Sequence, residues 1–218
     1  MRPTVIFDFD GVIIDSERSQ CKLFRDELLR QGYDHDHLKD SDLIGKTTEQ
    51  IIAEHYPQMP REDLVAIMNR LRQGALHNAG FSLIPHAHTI ITALYNAGVQ
   101  LAITSASNSA HIQKQLIKHG LNDYFSTITG SDHVRRSKPD PQGYKLTMKQ
   151  LGVRPEETIV IEDSPAGVEA AKRAGATVYA ILTSMQHEHQ LPGADKYFNS
   201  HLEILDSVLG KKKESFLP

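Results

Sequence analysis

Thr4-Val5-Ile6-Phe7-Asp8-Phe9-Asp10-Gly11-Val12-Ile13-Ile14-Asp15-Ser16-Glu17 is the stretch on which the fold turns. It opens as a short apolar run, Thr4–Phe9, and two carboxylates two apart, Asp8 and Asp10, fall where the run stops. Gly11 follows at once. On a strand, residues i and i+2 share a face. Where the strand is ending, both groups can project into the crevice beyond its carboxyl end, the place where open α/β sheets bind ligands. Two acids in one crevice repel, so the pair needs a cation or a raised pKa. Taken alone, the stretch also fits an ordinary strand-to-loop exit with solvated acids.

Further along, Val99–Thr104, Thr158–Glu162 and Thr177–Leu182 are similar apolar, β-branched runs, and Ser126–Gly130 and Asp195–Phe198 are weaker ones. None alternates with period two, as expected for strands buried on both faces of a parallel sheet. Helical stripes lie between them: Ala87, Ile90, Ile91, Leu94; Ile112, Leu116; Tyr144, Met148, Leu151; Val168, Ala171, Ala174; Leu202, Leu205, Leu209. Gly98, Gly120, Gly152 and Gly175 stand where helices of this kind end. The pattern predicts an α/β fold, a doubly wound parallel sheet of Rossmann-like type. Residues 16–85 break the alternation and carry only helical stripes, such as Cys21, Phe24, Leu28 and Leu64, Ile67, Leu71. They predict an inserted helical cap, with the catalytic core formed by 1–15 and 86–218. The tail from Lys211 to Pro218 reads as a frayed, solvated helix end.

Composition narrows the function. Lys plus Arg number 24 and Asp plus Glu 27, a net charge of −3 over 218 residues. That balance argues against a nucleic-acid binder, which needs a basic face. Cys21 is the single cysteine, so no internal disulfide forms, and a reducing, cytoplasmic setting is expected. No apolar run approaches the ~18 residues of a membrane span, and the N-terminal run is too short for a signal peptide. A monomer is the default expectation.

Three further segments carry chemistry. Ile161-Glu162-Asp163-Ser164-Pro165 again sets acids at a strand end, with Pro165 opening a helix. Asp163 or Ser164 could simply cap that helix; the adjacent Glu162 is not explained so. Hard oxygen ligands in this number suit Mg²⁺. Thr104-Ser105-Ala106-Ser107-Asn108-Ser109 ends a strand in hydroxyls and leads into a helix. Such a helix start binds phosphate oxygens or is merely a Ser-rich cap. Lys138, in Ser137-Lys138-Pro139-Asp140-Pro141, places one ammonium between turn residues.

Asp-x-Asp, Ser/Thr, Lys and Glu-Asp in this order, across almost the whole chain, resemble the haloacid dehalogenase superfamily of aspartate-nucleophile phosphotransferases. The wording of the four motifs and the cap's place are most similar to its β-phosphoglucomutase-like group, which also contains sugar-phosphate phosphatases. The resemblance implies that Asp8 is the nucleophile and forms an aspartyl-phosphate. Asp10 is then the acid for the leaving oxygen and the base for water. Ser105 binds the transferring phosphoryl group and Lys138 neutralises its charge. Asp8, the carbonyl of Asp10, and Asp163 bind Mg²⁺, with Glu162 mainly behind them. Dehalogenases lack the second aspartate, so Asp10 excludes that activity. The chemistry is consistent: a carboxylate attacking a phosphate dianion needs compensating positive charge.

Substrate contacts are expected from Ser16, Gln20 and Lys46 on the cap side, and from Ala106, Ser107 and Asn108 after the second motif. At these places the chain departs from true β-phosphoglucomutases, which carry a histidine at the position of Gln20, an arginine near Thr48 and a lysine at the position of Asn108. Lys46 lacks a bidentate fork. The departures favour a Mg²⁺-dependent phosphatase of a small phosphorylated metabolite, a sugar phosphate, over a mutase. A non-catalytic ligand-binding module is the remaining alternative. Gly45-Lys46-Thr47 is no P-loop, because Asp40 stands where its first glycine belongs. The twelve histidines, with close pairs such as His35/His37, His86/His88 and His187/His189, read as scattered surface residues.

Overall fold

The structure is a computed structural model, and it describes residues 3–43, 46–77, 81–182 and 188–210. The predicted tail from Lys211 onward, Gly45 of the rejected P-loop and His187 lie outside the described residues. The chain divides into one compact unit made of Met1–Ile14 and Leu83–Pro218 and another made of Asp15–Ser82.

The first unit is built on six strands: β1 (Thr4–Phe7), β4 (Leu101–Thr104), β5 (Thr127–Thr129), β6 (Thr158–Glu162), β7 (Thr177–Ile181) and β8 (Lys196–Phe198). They lie in the order β5-β4-β1-β6-β7-β8, every neighbouring pair parallel. This is the α/β sheet the sequence predicts. β1, β4 and β6 are buried along their whole length, the physical reason their sequences do not alternate. β1 sits between β4 and β6, with Phe7 opposite both Ile103 and Ile161. Strand order reverses here, so the carboxyl ends of β1, β4 and β6 face the crevice where open sheets bind ligands.

Helices α5 (Ala87–Asn96), α6 (Ser109–Lys118), α7 (Gln142–Leu151), α8 (Pro165–Ala174) and α9 (His201–Leu209) alternate with the strands. Three of their starts are capped by side chains, those of α6, α8 and α9: Asn108 accepts from the Ala110 N–H, Ser164 from Gly167 and Ser200 from Glu203. Ile6, Ala102, Tyr144, Met148, Val160, Val168, Ala171 and Val178 form one buried cluster, binding β1, β4, β6 and β7 to α7 and α8. Buried apolar surface of this kind contributes about 25 cal/mol per Å².

The second unit holds α1 (Ser16–Arg30), α2 (Asp40–Leu43), α3 (Thr48–His55) and α4 (Arg61–His77). Its own core gathers Cys21, Phe24, Leu28, Leu38, Leu43, Ile51, Ile52 and Ile67. Thr47 and Gln50 form a reciprocal capping box at α3. Cys21 packs on the α1 stripe as a small apolar side chain, and burial, with Asp40 nearby, pushes its thiol pKa up. Two features were not legible in the sequence. One is the four-residue α2. The other is a two-stranded sheet of β2 (Ile14–Asp15) and β3 (Ser82–Leu83), each too short to show a periodicity.

Candidate active site

Asp8 follows β1 directly, and its N–H donates to the Ile161 carbonyl at 2.9 Å, which extends the sheet register one residue beyond the strand. The side chain is buried. Lys138 Nζ donates to Asp8 Oδ1 at 2.5 Å and to Glu162 Oε1 at 2.6 Å. Glu162, the last residue of β6, is wholly inaccessible (0% exposed), yet both its oxygens are engaged. Tyr144 Oη donates to Oε1 at 2.7 Å. The Asp163 N–H, the Ser164 N–H and Ser164 Oγ all donate to Oε2, at 3.0, 3.1 and 3.0 Å. A Cβ on Gly167 would overlap this carboxylate, so glycine there lets α8 start against it.

These contacts set the charges. Burial pushes the Asp8 carboxyl up to about 7; Glu162 and Asp10 add to the rise and Lys138 opposes it. Burial disfavours the Lys138 ammonium too, but Asp8 and Glu162 outweigh it and hold the lysine well above its ordinary value. Glu162 is also penalised by burial, yet Lys138 and the Tyr144 hydrogen bond keep it below the usual carboxylate range. The centre is therefore one lysine ion-paired to both Asp8 and Glu162, with Glu162 further held by Tyr144 and three donors on its other oxygen and Asp8 held by the lysine alone among the described side chains.

Asp10 lies in the tight turn after β1, where Gly11 N–H donates to the Ile14 carbonyl at 2.8 Å. Gly11 takes φ +78°, and a Cβ there would overlap the Asp163 carboxylate. Glycine meets both demands. Ligand oxygens of Asp8, Glu162 and Asp163 lie within 4.8 Å of one another. This all-oxygen, net-negative donor set, with a backbone turn cut away against Asp163, fits a small hard divalent cation.

The segment after β4 reaches the same place. Ser107 Oγ donates to Asp10 Oδ2 at 2.6 Å, and Ser105 Oγ faces the same oxygen at 3.4 Å. Ser105 and Lys138 line a cavity of about 20 Å³, room for about one water. Beneath it Thr104, Thr147 and Thr129 form a buried hydroxyl chain, with Oγ1 separations of 2.6 and 2.7 Å. The Asn108 carboxamide oxygen caps α6 by accepting from the Ala110 N–H, and Ala106 is exposed.

The fold thus brings Asp8, Asp10, Ser105, Ser107, Lys138, Glu162 and Asp163 to the carboxyl ends of β1, β4 and β6. Ser16, Gln20 and Lys46 belong to the second unit. Ser16 is buried at the start of α1. Gln20 and Lys46 line a pocket of about 340 Å³ with Glu17, Phe24 and Thr48, and Lys46 Nζ is paired to Glu54 at 2.6 Å. Sequence reasoning missed Tyr144, reading it as one more member of an apolar stripe. The available signal was a phenol on that stripe six residues after Lys138, since a buried Tyr hydroxyl needs a partner.

The family of haloacid dehalogenase-like hydrolases matches residues 5–181, an interval that contains all four motifs. The chain belongs to this family. It is an enzyme of the phosphoric monoester hydrolase class. Among similar proteins is the bifunctional riboflavin kinase/FMN phosphatase of Arabidopsis thaliana, 30% identical over 92% of this chain and 54% of that protein. Another is the fructose-1-phosphate phosphatase YqaB of Escherichia coli, 29% identical over 78% of this chain and 92% of its own. A crystal structure of a haloacid dehalogenase family hydrolase from Deinococcus radiodurans, with bound phosphate and sodium, superposes with a TM-score of 0.81 at 28% identity, covering 96% of each chain. Among the described residues no helix is long and apolar enough to cross a membrane.

Proposed function

We propose that the protein is a Mg²⁺-dependent phosphatase that hydrolyses a small phosphorylated metabolite, a sugar phosphate, through an aspartyl-phosphate on Asp8. The observation that carries this reading is the buried Asp8–Lys138–Glu162 array beside Asp163, with Asp10 held by two serines. Asp8, the carbonyl of Asp10, and Asp163 would hold the cation, with Glu162 behind them. When bound, Mg²⁺ supplies positive charge that keeps Asp8 ionised and offsets the charge of the phosphate dianion.

The chain's own residues do the rest. Asp8 attacks phosphorus, and the bond to the ester oxygen breaks. Lys138 stays beside the attacking carboxylate, where charge gathers in the transition state. Ser105 orients the phosphoryl group. Asp10 gives its proton to the departing oxygen, then takes one from the water that hydrolyses the aspartyl-phosphate. Phosphate leaves and Asp8 is restored. Kinship with a fructose-1-phosphate phosphatase and with a phosphorylated carbohydrates phosphatase of Thermotoga maritima, 28% identical over 198 residues, supports the substrate class. A mutase is disfavoured because Gln20 and Asn108 stand where true β-phosphoglucomutases carry a histidine and a lysine, no arginine stands near Thr48, and Lys46 Nζ is paired to Glu54.

Phosphate release from a panel of monoesters with Mg²⁺ tests the reading. Turnover of one or more sugar phosphates and its loss in Asp8→Asn are expected. No release from any ester, or full activity in Asp8→Asn, refutes it.

A further inference from the structure

Asp10 must hold a proton aimed at a departing oxygen, and the structure shows what orients it. Ser107 Oγ donates to Asp10 Oδ2 at 2.6 Å, the shorter of two hydroxyl contacts to that oxygen. The position of Ser107 is itself fixed on three sides. Its N–H donates to Ser105 Oγ at 2.9 Å. Its carbonyl accepts from the Ser131 N–H at 2.9 Å. Two residues on, Ser109 donates through its N–H and its hydroxyl to the two oxygens of Asp132, at 2.8 and 2.6 Å. Gly130 permits this close approach, because a Cβ there would stand 2.8 Å from the Ser107 carbonyl oxygen. The hydroxyl is thus presented to Asp10 by a segment pinned to the carboxyl end of β5.

From this geometry we infer that Ser107 is a positioning residue for Asp10, beyond any contact it makes with substrate. The inference rests on the phosphatase reading above. The Ser107 hydroxyl donates to Oδ2 at 2.6 Å, which ties that oxygen down and leaves Oδ1 as the oxygen that faces the departing group. In the step concerned, the Asp8–phosphorus bond forms and the phosphorus–ester oxygen bond breaks. A proton passes from the Asp10 carboxyl group to the departing oxygen, and the carboxylate left behind stays hydrogen-bonded to Ser107 through Oδ2. Ser107 thus fixes the rotation of the carboxyl group about its Cβ–Cγ bond, and with it the direction of the proton. Ser105 has a second duty, toward the phosphoryl group, and sits farther from Oδ2.

Proton delivery matters according to the leaving group. An alkoxide such as a sugar oxygen departs poorly without a proton, whereas p-nitrophenolate departs well unaided. Kinetics of kcat/KM, which reports the steps up to the first irreversible one, should therefore be compared for a sugar phosphate and for p-nitrophenyl phosphate in wild type, Ser107→Ala and Ser107→Thr. The expected result for Ser107→Ala is a loss of about 10²-fold with the sugar ester and at least tenfold less loss with the aryl ester. Ser107→Thr, which keeps the hydroxyl, should recover most of the sugar-ester activity. Equal losses on both esters in Ser107→Ala, or a Thr variant no better than Ala, would overturn the positioning role while leaving the phosphatase reading intact. A wild-type protein that turns over neither ester overturns both.

Discussion

Tyr144→Phe removes one oxygen from the buried centre and changes little else. The ring is almost fully enclosed (1% exposed), and phenylalanine fills the same volume, so no cavity opens. The Lys138 ammonium lies 5.1 Å from the ring centroid, and that contact also survives in phenylalanine. What is lost is the 2.7 Å hydrogen bond to Glu162 Oε1. A hydrogen bond to a charged group contributes about 1.5–3 kcal/mol. Glu162 keeps Lys138 on Oε1 and three donors on Oε2, so the charge is not orphaned and a value near 2 kcal/mol is expected. In a chain of this size that lowers Tm by about 4–8 °C. Urea and thermal unfolding of wild type, Tyr144→Phe, Glu162→Gln and the double variant measure the coupling directly. A loss below about 0.5 kcal/mol in Tyr144→Phe, or no coupling to Glu162, would refute the account of how that carboxylate is kept charged.

Gly11→Ala should forfeit the cation as well as stability: a Cβ at φ +78° overlaps the Asp163 carboxylate, and the backbone strain alone costs about 1–2 kcal/mol. Wild-type Tm is expected to rise with added Mg²⁺ by mass action, whereas that of Gly11→Ala stays level; an equal rise in both counts against the assignment. His201 gives a pH test. It is buried with Nδ1 3.1 Å from the Pro85 carbonyl, and burial, against hydrogen bonding to Pro85, lowers its pKa from 6.5 to about 4. Between those values the unfolded chain binds a proton the folded chain refuses. Stability therefore rises with pH across that window and is level above it, by about 3 kcal/mol in all. His201→Gln should lose this part of the slope in pH-dependent denaturation, and an unchanged slope excludes it.

Much of this was already fixed by local sequence. Apolar runs ending in Asp8, Thr104 and Glu162 specify strands buried on both faces, and that pattern is legible because periodicity is a near-neighbour property. The order of the acids, serines and lysine carried the chemistry for the same reason, each lying within a few residues of a strand end. The six-stranded parallel sheet accordingly matches the reading. What local order could not specify was which groups meet. Lys138 reaches Asp8 across 130 positions of chain, and Ser107 reaches Asp10 across 97. The parallel registers of β1 with β4 and β6, and of β4 with β5, bring those groups together. Tyr144 shows the limit most clearly, since its place on an apolar stripe concealed a hydroxyl that finds its partner, Glu162 at the end of β6, only when α7 packs against the sheet and α8. Sequence alone determined the sheet and the inventory of reactive groups. Tertiary structure decided which two carboxylates share the lysine, which acids cluster beside them and which is aimed by serine, because those assignments depend on burial and on distances of a few ångströms.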